Sequence, residues 1–178
     1  MKSILIVITF LGLLSDKRSC NDDKKNYIEW KEDRKLAWSD FKGEGPSKTI
    51  FSASSAIIIH LDFKEQENIK RYKSYCYFIK ALSWVKIQNK YLLIHEQRHF
   101  DLGEIYRIKL KNEIDSIIGV QGSVSRSKLE SLVTKCSRQL EVIHKEYDDE
   151  TNYSQNSLKQ ELWNTKIEHA LRTGNFTD

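Results

Sequence analysis

Proline is almost missing from this chain: Pro46 is the one example in 178 residues, and glycine is held to seven. There is no internal repeat and no low-complexity tract, which excludes a collagen-like array, a solenoid and a Pro- or Gly-rich linker. Charge of one sign is also scarce, since 29 Lys and Arg stand against 25 Asp and Glu for a net charge of +4. With 39% hydrophobic and 30% charged residues the composition is that of a globular protein, and the length suits one domain with a real core.

Long apolar runs are equally few. The first, Ile4 to Leu14, follows Lys2 and is too short to span a bilayer as a permanent helix. It reads as a signal peptide over residues 1–19, cleaved between Ser15 and Cys20, with no permanent membrane span. Export is the expectation: a secreted or periplasmic, cell-envelope protein. Cys20 could carry a lipid anchor, although Lys17 and Arg18 are poor company for a lipoprotein signal. Removing residues 1–19 takes the net charge from +4 to +2 and leaves no basic groove for nucleic acid. Cys76 and Cys136 remain in the body of the chain, where an oxidising compartment invites one disulfide; two unpaired buried thiols are the other reading.

The most informative stretch is Ile94-His95-Glu96-Gln97-Arg98-His99-Phe100-Asp101, an H-E-x-x-H pattern. On a helix, four residues advance about 6 Å and slightly more than one turn, so His95 and His99 share a face and can hold one zinc ion between them. Glu96 lies beside that face, placed to act as general base toward a water on the metal. Leu102, Tyr106, Leu110 and Ile117 continue the face at helical steps, which puts the histidines on a buried stripe and not on a solvated side.

Residues 20–34 are rich in Asn, Asp and Lys and read as a polar lead-in, with Tyr27 and Trp30 able to dock on the domain that follows over residues 35–173. Strands are predicted over Lys35–Phe41, Ala56–Phe63 and Ser74–Val85, from alternation and from β-branched and aromatic content. A helix is predicted from Gln88–Asn89 to Ile118, stopped by Gly119 and Gly122. A second, capped by Ser123 or Ser125, runs to Tyr147; a turn occupies 148–154, and a third helix reaches Leu171. Strands first and helices after are the mark of an α+β domain: a small antiparallel sheet packed on the H-E-x-x-H helix, with two further C-terminal helices.

A catalytic zinc keeps three protein ligands, so one more must come from outside this helix. Glu141, His144, Asp148, Asp149, Glu150, Tyr153 and His169 are the candidates, and periodicity does not choose among them. The order Arg34-Lys35-Leu36-Ala37-Trp38-Ser39-Asp40-Phe41-Lys42-Gly43, then Ser83-Trp84-Val85, then residues 92–101, then Tyr147-Asp148-Asp149-Glu150-Thr151-Asn152-Tyr153-Ser154 with Gln160 and Trp163, resembles a bacterial family. It is similar to domain of unknown function 922, described as secreted zinc-dependent proteases, over about residues 30–170. The resemblance implies a zincin-like metallopeptidase domain whose third ligand is a histidine late in the chain. Tyr153 stands at that position here. A phenolate can bind zinc, but with a pKa of about 10 it is a weaker ligand at neutral pH. The resemblance implies Tyr153 as the ligand, with Asp149 or His144 as substitutes, or with an impaired site.

The implied activity is peptide-bond hydrolysis with Zn2+ as cofactor, a peptide or protein as substrate and Glu96 as catalytic base. Two rivals remain: an exported pseudoenzyme or binding module that keeps the fold with an impaired metal site, and a structural envelope protein whose histidine pair is incidental. The Ser74–Val85 strand is expected to offer an edge to an extended substrate.

Overall fold

A computed structural model describes residues 3–8, 26–64 and 66–176. Of the expected leader, only Ser3–Ile8 is described, as strand β1; Cys20 lies outside the described residues. There follow β2 (Tyr27–Glu29), β3 (Ala53–Ser54), β4 (Ile57–Phe63), β5 (Asn68–Ile69), β6 (Tyr72–Ile79) and β7 (Trp84–Val85). Helix α1 (Lys90–Gln121), β8 (Val124–Ser125), α2 (Arg126–Thr151) and α3 (Ser157–Thr173) complete the order. The chain is a mixed helix and sheet structure with three helices among the described residues, and none of them is long and apolar enough to cross a membrane.

The main sheet has the order β1-β4-β6-β2 with every neighbouring pair antiparallel. Its register sets Ile57 opposite Phe78 and Ile59 opposite Cys76, so that Ile57, Ile59, Leu61 and Phe63 share one face with Cys76 and Phe78. All six are buried, and α1 lies across them. The helix comes unusually near the sheet at Gly103, where a Cβ would stand 2.6 Å from Ile57 Cγ2 and 3.0 Å from Cys76 Sγ. Gly103→Ala is therefore expected to destabilise the fold by about 1–3 kcal/mol through overpacking. That outweighs the gain in helix propensity of up to about 1 kcal/mol. A thermal melt lower by several degrees is the readout, and an unchanged melt would mean that α1 stands further from the sheet.

On its other side α1 meets α2 and α3. Leu102, Ile105 and Leu110 pack with Leu129, Leu132, Leu140, Tyr147, Trp163 and Ile167 in the larger hydrophobic core. The helix begins at Asn89, whose side chain accepts from Leu92 N at 2.8 Å, and ends at Gly122 in the left-handed region at φ 76°. These ends fall close to the predicted ones.

Two predicted strands take another form. Lys35–Phe41 is not extended: Trp38–Asp40 is a turn of 3-10 helix, because the Asp40 carboxylate accepts from Ala37 N at 2.8 Å and pairs with Arg34. The third strand ends at Ile79, is followed by a 3-10 turn over Lys80–Leu82, and resumes only as β7 beside β3. β4 takes one edge of β6 along its whole length, and on the other edge β2 covers Tyr77–Ile79, so the half of the strand nearer Val85 has no free edge to offer a substrate. The lead-in is partly structural. β2 pairs with β6, and Trp30 Nε1 donates to Asp101 Oδ1 at 2.9 Å, so the folded domain begins before residue 35. Asp101 is fully buried and also accepts from Gln97 Nε2 and Arg98 Nη1 at 2.9 Å each, facing away from the histidines as an anchor for that segment.

Cys76 and Cys136 are free thiols and both are buried. Cys76 sits on the sheet under Gly103, whereas Cys136, on α2, directs its Sγ to Tyr106 O at 3.6 Å. Burial raises the pKa of Cys76 well above its ordinary value and that of Cys136 to about 12, so both remain protonated and unreactive.

Candidate metal centre

Three helices deliver the side chains of the site. The N-terminal part of α1 carries His95, Glu96 and His99; the last two turns of α2 carry His144, Asp148 and Thr151; the first turn of α3 carries Gln160. Asp148 was expected in a turn, but α2 continues through Thr151 to a left-handed cap at Asn152, whose N–H donates to Asp148 O and Asp149 O. The extension swings the Asp148 carboxylate onto the buried stripe that already holds Leu140 and His144.

Asp148 Oδ1 stands 2.9 Å from His95 Nε2 and 3.0 Å from His99 Nε2, and the two ring nitrogens are 3.2 Å apart. Three donor atoms thus form a nearly equilateral triangle, and all three residues are buried. Such a group could hold a metal ion.

The surrounding hydrogen bonds assign the protons. Arg98 Nε donates to Asn164 Oδ1 at 3.0 Å, which makes that atom an acceptor; the same oxygen accepts from Gln160 Nε2 at 3.1 Å. Gln160 Nε2 donates as well to Tyr147 OH at 2.6 Å, and this leaves Gln160 Oε1 facing His95 Nδ1 at 3.1 Å. His95 Nδ1 must carry a proton, so in the neutral ring Nε2 presents a lone pair to the triangle. His99 follows the same logic, its Nδ1 lying 2.7 Å from His144 Nδ1. Burial and the neighbouring His99 hold the His144 pKa well below its ordinary value, so His144 is neutral, and in the tautomer with its proton on Nε2 its Nδ1 accepts from His99 Nδ1.

Two lone pairs and a carboxylate oxygen turned on one point require positive charge there, either as protons on the imidazoles or as a divalent cation. Burial lowers the His99 pKa, but Asp148, by charge and by hydrogen bond, brings it above the ordinary value. Burial likewise raises Asp148, and the two histidines then take it well below the usual carboxylate range. The donor set of two imidazoles and one carboxylate suits zinc or a similar borderline ion.

Tyr147 walls the centre. Its ring is stacked on His95 at 4.5 Å between centroids and meets His99 edge-on at 4.9 Å. Trp163 in turn packs on Tyr147 at 5.3 Å. On the open side is a cleft of about 530 Å3 whose lining includes all three triangle residues, Glu96 and Tyr153. Glu96, only 3% exposed, accepts from Ser55 Oγ at 2.5 Å across the cleft floor. Ser55 comes from the link between β3 and β4, and nothing in the spacing of the sequence singled it out.

Among the other candidates for a third donor, His144 bonds to His99 rather than facing solvent, Asp149 pairs with Lys145 at the surface, and Glu150 is engaged by Lys159 and Trp163. Tyr153 lines the cleft with its ring 5.0 Å from that of Phe51. It is the middle of three consecutive non-glycine residues in the left-handed region, Asn152, Tyr153 and Ser154, at φ 47°, 51° and 72°. Such a run is costly for Tyr and Ser and concentrates backbone strain at the mouth of the cleft.

No protein-family model, no curated protein and no solved structure matches this chain. The likeness noted above therefore stands on the motifs themselves.

Proposed function

We propose that the protein is an exported zinc-dependent peptidase with a zincin-like arrangement. The observation that carries the reading is the buried carboxylate of Glu96 in the same cleft as the His95, His99 and Asp148 triangle. A helix bearing H-E-x-x-H beneath an antiparallel sheet supports it, as do the flanking motifs; export rests on the apolar run Ile4 to Leu14 read as a leader. The metal, when bound by His95 Nε2, His99 Nε2 and Asp148 Oδ1, supplies Lewis acidity toward water and the scissile carbonyl.

The chain's own groups do the rest. Ser55 donates to Glu96 Oε2 and so fixes the carboxylate at the cleft wall. From there Glu96 removes a proton from the attacking water and returns it to the departing amine. Gln160 and His144 keep the two ligand rings in the tautomer that leaves Nε2 free. β3 lies at the edge of a two-stranded sheet beside the site and is the strand against which an extended peptide would lie.

Purified protein should contain one equivalent of zinc and cleave unstructured peptides, with both properties lost on chelation and restored by zinc. Metal without hydrolysis would leave a binding module, and neither would leave a structural protein. Ser55→Ala is expected to reduce kcat by about 10–150-fold, the kinetic equivalent of a hydrogen bond to a charged group worth about 1.5–3 kcal/mol. KM and zinc content should stay as in the parent. A fall in zinc content instead would make Ser55 a residue that supports the metal and not the base.

A further inference from the structure

The cleft over the triangle differs from the rest of the surface in its charge. Charged residues make up 30% of the chain, yet among the described residues the lining holds no lysine or arginine. Its carboxylates are Glu96 and Asp148, both already engaged by the site. The remaining wall has two textures. Ser52, Ser54, Asn89 and Gln155 contribute hydroxyl and amide groups. Ile50, Phe51, Trp84 and Tyr153 contribute apolar surface, with Ile50 92% exposed at the lip and the Phe51 and Tyr153 rings in contact.

Two lysines stand near the rim with partners of their own: Lys86 donates to Pro46 O at 2.6 Å with its Nζ 6.0 Å from the Trp84 ring, and Lys145 is paired with Asp149. A lysine, arginine or glutamate side chain entering the cleft would lose hydration and find no free counter-charge, since Glu96 and Asp148 are engaged by the site and Lys86 is held by Pro46 O, whereas a neutral side chain would lose little and gain contact with the aromatic wall. Seats for serine and threonine hydroxyls are plentiful on the polar wall.

We propose that the site takes peptide segments without charge around the scissile bond, an apolar side chain resting against Phe51, Tyr153 and Trp84 and small or hydroxylated residues beside it. This rests on the peptidase reading for its chemistry, but not for its recognition. Selection then comes from exclusion: an unpaired charge is rejected more strongly than one apolar residue is preferred over another.

The test uses the full-length, zinc-loaded protein and three fluorogenic peptide pools of equal length, with neutral, lysine or glutamate residues flanking the central bond. The neutral pool should exceed both charged pools in kcat/KM by about 10-fold or more. In parallel, binding of the same pools to the Glu96→Gln protein is followed by fluorescence anisotropy. Phe51→Ala should weaken neutral-pool binding about fivefold or more, by removing aromatic contact. Ser54→Arg should shift preference toward the glutamate pool. Charged pools bound or cleaved as well as the neutral one overturn the proposal. Cleavage of no pool would sink the peptidase reading alone, since the anisotropy arm still reports what the cleft accepts.

Discussion

Glu96→Gln is expected to keep the metal and the fold and to lower peptide hydrolysis by about 10^2 to 10^4-fold, the range of a positioned general base. Glutamine has the same length, and its amide oxygen can still accept from the Ser55 hydroxyl that now reaches Glu96 at 2.5 Å. Packing of a residue only 3% exposed is thus preserved while its basicity is removed. Zinc content by elemental analysis and the melting temperature should both match the parent. The loss should fall on kcat with KM little changed, because the proton is moved only in the chemical step. Equal kcat in the two proteins would exclude Glu96 as the base, and with it the hydrolytic reading of the H-E-x-x-H sequence. A parallel loss of metal would instead mean that Glu96 helps to hold the ion.

The long helix and two of its site residues were legible because their signal is local. The four-residue spacing of His95 and His99, the apolar steps through Leu102, Tyr106 and Leu110, the Asn89 start and the Gly122 stop all act within a few turns. The third donor was harder for a physical reason. Asp148-Asp149-Glu150-Thr151-Asn152 has the composition of a turn, and the αL cap at Asn152 does end the helix there, but only after Thr151. A signal for the longer helix was present: Leu129, Leu132, Val133, Cys136, Leu140, His144, Tyr147, Asp148 and Thr151 follow one another at three- and four-residue steps or adjacent to them, and all are buried. Polar residues on a buried stripe need partners, and for His144 and Asp148 those partners are His95 and His99 on α1.

Other parts left no such trace. Alternation over Lys35–Phe41 predicts a half-buried strand, but the Asp40 carboxylate folds the segment into a 3-10 turn through a contact that periodicity does not record, and this turn is what lets Leu36 and Phe41, at positions of opposite parity, both be buried. Ser55 reaches Glu96 across 41 positions of sequence, and Trp30 reaches Asp101 across 71. Long-range polar contacts of this kind depend on how the sheet and α1 are placed, so they become visible only with the fold.

Asp148→Asn isolates the contribution of the third donor. The substitution preserves shape and a polar oxygen near His95 and His99 but removes the charge that faces both Nε2 atoms at 2.9 and 3.0 Å. Outer-sphere partners of metal ligands are worth about 10–100-fold in affinity, so weakening a direct ligand should cost about 100-fold or more. Stability supplies a second readout. Zinc at 100 times its dissociation constant stabilises the folded state by about 2.7 kcal/mol. For a chain of this size that corresponds to roughly 5–11 °C in Tm at about 2–4 °C per kcal/mol. Chelation should lower the Tm of the parent by that amount and shift that of Asp148→Asn very little, because the variant holds little zinc to lose. Should the variant retain one equivalent of zinc and the full chelation shift, Asp148 is not a ligand. The phenol of Tyr153, in the same cleft, would then be the donor to test, and Tyr153→Phe would release the metal that Asp148→Asn did not.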